Sequence, residues 1–151
     1  MSSGAVSVLK SLCRRNQGVD IVGFAPEVDG VTPERAWGHV VRMESKPSLV
    51  LPDESIDKAG HSWWKLAHSE GLLSNDATCL ISVSGVALGS WARIRLPERA
   101  PVLDIFSVNA GSPEFIAMNE EGRIFLAVTA EEDEIWLYLV KRSGGQWLTV
   151  R

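Results

Sequence analysis

Few spacings in this chain set chemically capable side chains together. Trp91, Arg93 and Arg95 alternate with Ala92, Ile94 and Leu96. On a strand, that alternation puts an indole beside two guanidiniums on one face. Such a face can stack on a base or grip an anion, and Arg99 would extend it. The plainer reading is a wet strand face whose arginine stems lie over the indole.

A second group is acidic. Glu131, Glu132, Asp133 and Glu134 run together, and Trp136 and Tyr138 follow on alternate positions. An acidic loop beside an aromatic anchor can steer a basic partner and then hold it. The plainer reading is a solvated hairpin tip that guards apolar strands against association. The run lacks the alternating ligands and central glycine of a calcium loop.

The third group is the histidines, His39, His61 and His68. Asp57 and His61 are four apart, which on a helix sets two potential metal ligands on one face. Gly60 intervenes and the local sequence offers no third ligand, so no metal site is expected. Cys79 is flanked by Thr78, Leu80 and Ile81 and reads as a buried, inert thiol rather than a nucleophile; Cys13 reads the same way. Ser84 precedes Gly85, but the glycine two residues before the serine of a nucleophile elbow is missing. No glycine-rich phosphate loop is present. No nucleophile, base and oxyanion donors assemble from local motifs, so the chain leans away from catalysis and no cofactor is expected. An enzyme of unrecognised class using His61 or His68 is the alternative.

These groups need elements to position them. The densest apolar stretch, residues 113–142, reads as a three-strand meander at 114–118, 123–129 and 135–140. Its connections are polar: Asn119, Glu120, Glu121 and Gly122 first, then the acidic tip. Ile124, Leu126 and Val128 point one way, and Phe125 and Ala127 the other. Both faces are therefore expected to be covered, one by helices and the other by a second sheet or a partner protein.

Upstream, helices are expected at 4–16 and at 63–70, the latter capped by Ser62. Thr32 and Pro33 start one helical turn, after which Trp37, His39, Val41 and Met43 alternate as a strand would. Further strands are expected at 19–24, 48–51, 78–84, 91–96, 102–108 and 146–150. The predicted class is α+β, a mostly antiparallel sheet with a C-terminal three-strand meander and two or three helices packed against it.

The 151 residues suit one globular domain with its own core. The net charge of −4 and an isoelectric point near 5.4 argue against general nucleic-acid binding. The N-terminus has no long apolar core of the secretory type, so the expected location is cytoplasmic. Six tryptophans are many for this length, and adjacent Trp63 and Trp64 cannot share a helix face. One is expected in the core and the other at its boundary.

This profile is similar to that of small inhibitors and toxin-immunity proteins: modest size, acidic charge, surplus aromatics and no catalytic motif. The expected function is non-catalytic protein binding. The expected partner is another protein with a basic surface, not a membrane. The anion or nucleic-acid face at Trp91, Arg93 and Arg95 is a further alternative.

Overall fold

A computed structural model describes residues 3–42, 46–52 and 55–150. Its centre is the expected meander. β5 (Phe115–Met118), β6 (Ile124–Glu131) and β7 (Glu134–Ser143) pair antiparallel in sequence order, with Leu126 opposite Leu139 and Val128 opposite Leu137. Asn119 closes the first turn: its side-chain oxygen accepts from the backbone N–H groups of Arg123 and Ile124. Asp133, at φ 63°, makes the left-handed step in the acidic turn.

The sheet extends both ways. β3 (Thr78–Val83) pairs with β5, β4 (Trp91–Arg95) with β3, and β1 (Asp20–Ala25) with β4 at one edge. At the other edge β7 carries two strands end to end. β2 (Leu49–Pro52) pairs with its first half and β8 (Gln146–Val150) with its second. Ser48 joins them, accepting from the Leu139 N–H while its hydroxyl donates to the Val150 carbonyl. The result is an eight-stranded antiparallel sheet with four helices among the described residues, an α+β fold.

Three helices cover one face. α1 (Ser3–Cys13) buries Ala5, Leu9, Leu12 and Cys13; α3 (Ile56–Glu70) buries Ala59, Trp63, Trp64 and Ala67; α4 (Val102–Ile105) adds Val102, Leu103 and Ile105. They pack on Ile81, Ile94, Phe115, Leu126 and Leu137 from the strands. Leu126 is 1% and Leu137 0% exposed. Both cysteines are free and buried in this layer. Burial pushes the Cys13 thiol up to about 11 with help from Asp20, and drives the Cys79 thiol still higher.

The other face has a thinner cover. α2 (Pro33–Val40) and the turn before it lie over Leu80, Trp91, Ile116, Met118, Phe125 and Val140. Only Ala36 and Val40 of α2 are buried. Trp37, Trp136 and Trp147 pack against this cluster but stay half-buried. The second cover is thus one short helix and a loop, not a second sheet.

Four sequence expectations need correction. α2 runs on to Val40 where one turn and then a strand were expected, because Ala36 and Val40 recur at helical spacing and Trp37 Nε1 donates to Ser82 Oγ across the sheet at 3.0 Å. Met43, the end of that strand, lies outside the described residues. α3 starts at Ile56, and Ser62 is inside it rather than its cap; Ile56, Ala59 and Trp63 continue the apolar stripe backwards past Gly60. Val102 to Val108 was expected as a strand, but α4 forms there. A short apolar run fits either period. Arg15 decides it locally by donating to the carbonyls of Asp104, Ile105 and Ser107 at the helix end. Finally, Trp63 and Trp64 are both buried, at 0% and 8%. Trp64 is held by a 2.8 Å bond from Nε1 to the Ala100 carbonyl.

Among the described residues no helix is long and apolar enough to cross a membrane.

Candidate functional site

The three residue groups meet different fates. Trp91, Arg93 and Arg95 do share one face of β4, as their alternation requires. However, Trp91 is 0% exposed beneath the turn in which Val28 bridges Val31, and its Nε1 donates to the Val31 carbonyl at 3.0 Å. Arg93 is paired with Glu120 at 2.6 Å, and the same carboxylate accepts from Thr78 Oγ1. Arg95 is exposed near the end of the strand. With Trp91 covered, this face offers no exposed indole to stack on, and Arg93 is paired.

The acidic tip and its aromatics do come together. Glu131, Glu132 and Asp133 are exposed, and Glu134 accepts from Trp136 Nε1 at 3.0 Å. That bond fixes the indole at the base of the tip. Tyr138 stands 6.3 Å from Trp136, centroid to centroid, but is 4% exposed. It is therefore a floor and not a protruding anchor. Burial raises its phenol pKa; the Thr129 hydroxyl lowers it and Glu131 adds a smaller rise.

Sequence reasoning missed what lies beside Trp136. Val50 of β2 is directly opposite it and shares its face. Val50 is 44% exposed, and Val41, just past α2, is 72% exposed. With Tyr138 as floor and Pro47 at the side, Val41 and Trp136 line a depression of about 490 Å³, and Val50 lies next to it across the strand pair. Glu131 closes it on the tip side, and Arg42 and Lys46 on the α2 side. The signal available in the sequence was the run Leu49, Val50, Leu51, an edge strand with no charge of its own.

The histidines also change company. His61 and His68 line a groove of about 380 Å³ between α3 and the segment from Glu98 to Asp104. Asp57, His61, Trp64 and His68 recur at 0, 4, 7 and 11 along α3, so one stripe faces that groove. Opposite stand Glu98, Asp104 and Arg99, the last in a left-handed backbone conformation at φ 65°. His68 approaches Glu98 at 3.8 Å, with both side chains more than half exposed, so the pair is weak. Among the described residues no cluster of three or more metal-ligating side chains forms. His39 lies apart, on α2. Burial lowers its pKa and Arg42 lowers it further; its Nε2 meets Thr149 Oγ1 at 3.1 Å.

Compared with family models, with curated proteins and with solved structures, the chain gives no match.

Proposed function

We propose that this is a non-catalytic protein-binding domain, of the kind found in small inhibitors and toxin-immunity proteins, that occupies a partner's surface. The observation that carries the assignment is a water-exposed apolar group centred on Trp136, with Val50 opposite it on β2 and Val41 sharing its depression. An indole fixed by its own hydrogen bond, flanked by two valines and ringed by charge, has the anatomy of an interface centre with a polar rim. The rim is divided. Glu131, Glu132, Asp133 and Glu134 form the acidic side, fitting a basic surface on the partner; Arg42 and Lys46 form the other.

The test is retention from an extract of the source cell on the immobilised chain, read by mass spectrometry, with Val50→Asp in parallel. A species held by the native chain and lost with a normally folded Val50→Asp supports the assignment. Equal retention by both overturns it.

A small enzyme using His61 or His68 is the second reading. It is favoured by one observation, that both imidazoles line a single groove with Asp57 and Glu98. His61→Ala and His68→Ala separate the two. A protein-binding domain keeps its cellular activity in both variants, whereas an enzyme of this kind loses it.

A further inference from the structure

The pairing of an indole with guanidiniums, absent around Trp91, occurs elsewhere on the same face. Between α2 and the β7–β8 hairpin runs a groove of about 630 Å³. That size falls within the range of small-molecule sites, roughly 300–1,000 Å³. Arg35, Gly38, His39 and Arg42 of α2 and its C-terminal extension form one wall, and Gly145 and Trp147 the other. We propose that this groove binds a small ligand carrying a phosphate on a flat ring, the chemistry of a nucleotide.

The charge is arranged for it. Arg35 and Arg42 are seven residues apart, so they stand roughly 10 Å apart along the helix direction and bracket the groove. Arg35 is steadied through Nη1 by a neutral acceptor, the Gly30 carbonyl at 3.0 Å, and a guanidinium carries further N–H groups that an anion can take. Arg142, by contrast, is spent on Asp29, bonding both its carbonyl and its carboxylate at 3.0 Å. Glu34 is the acid lining the groove, so two guanidiniums face one carboxylate. His39 stays neutral and engaged with Thr149.

The ring would lie against Trp147. This indole is held rigid by Phe125, 5.1 Å away between centroids, and by the Arg142 guanidinium at 5.8 Å. Where it lines the groove it offers an apolar wall for a planar group.

Gly38 is the most telling residue. Glycine is among the least favourable residues inside a helix. Yet a Cβ at Gly38 would meet nothing within 4 Å, and its φ is ordinary. Neither packing nor backbone geometry calls for glycine there. What its bare backbone does is keep the groove open.

The test uses the full chain, titrated at low salt with adenosine monophosphate, adenosine and inorganic phosphate, by calorimetry and tryptophan fluorescence. Adenosine monophosphate is expected to bind saturably and more tightly than either fragment. Arg35→Ala should weaken it about tenfold or more, as loss of a charge-assisted contact does. Gly38→Leu should abolish it while leaving the thermal midpoint unchanged or higher, which separates an occluded groove from an unfolded chain. Neither residue borders the Trp136 depression, so failure here is distinguishable from failure of the protein-binding assignment. The proposal is overturned if adenosine monophosphate fails to saturate by millimolar concentration, binds no better than phosphate alone, or binds equally to Gly38→Leu.

Discussion

The two faces of the sheet are built to different standards of closure. Beneath α1, α3 and α4 the strands meet large side chains on three helices, and the layer holds two thiols away from water. Beneath α2 the cover is eight residues of helix and a turn, and three tryptophans stay half-buried around it. A sheet needs only one sealed face to fold. The second face is then free to keep apolar side chains near water at its margins, and both proposed binding regions lie there.

The largest expected effect is on the sealed face. Leu126→Ala should destabilise the fold by about 2–5 kcal/mol, because it opens a cavity among helices that cannot collapse into it. On the open face Val50→Ala should change stability by less than about 0.5 kcal/mol. Denaturant melts of the two variants make the comparison directly, and similar losses would erase it.

That contrast was half legible in the sequence. The meander and the burial of both its faces followed from Phe125 and Ala127 standing opposite Ile124, Leu126 and Val128. The nature of the second cover did not. Gly38 and the alternation from Trp37 to Val41 suggested a strand, and only the tertiary fit of Ala36, Val40 and Trp37 on the sheet decides for a helix. The site was legible in the same partial way. Trp136 beside the acidic tip was visible as spacing on one strand. Val50 and Val41 arrive from distant segments, and no local period announces a cross-strand neighbour. Trp91 misled because alternation gives the direction of a side chain and not what is laid over it.

The next effect in size belongs to the open face and to binding. Trp136→Ala should raise the partner's dissociation rate at least tenfold, in line with the loss of a central aromatic anchor of about 2 kcal/mol or more. Surface-captured chain and the isolated partner give this by kinetic binding. An unchanged rate would move the interface off Trp136.

The thiols test closure from the sealed side. Folding raises the Cys13 pKa to about 11, with burial first and Asp20 second, so the folded state holds its proton where the unfolded chain releases it. The resulting stabilisation is complete below the ordinary thiol value near 8.5 and is lost as pH rises from there through about 11. Cys79 shifts the same way and extends the loss upwards. Alkylation of the native chain at pH 8 should accordingly be slow at both sites and become fast in denaturant. Rapid native labelling would mean that the helix layer is open.

Rim charges should have smaller effects. Changing Glu131, Glu132 and Glu134 together to Gln should slow association several-fold at low salt and flatten its salt dependence, with dissociation little changed. The smallest effect is expected at His39. Its folded pKa is lowered, by burial first and Arg42 second, so its contribution to stability is present above about 6.5 and falls away as the unfolded chain takes up the proton below that. Melts of the native chain and His39→Gln between pH 5 and 8 should diverge only towards the acid end.

The most direct measurement of which face works uses two valines of similar kind. Val41 is 72% exposed beside the Trp136 depression, and Val8 is 42% exposed on α1, over the sealed face. A photo-crosslinking amino acid at each position, in the source cell, samples the two faces in one fold. The expected result is a discrete crosslinked protein from position 41 that is absent from position 8. A product from position 8 alone, or the same product from both, would contradict the assignment of binding to the α2 face.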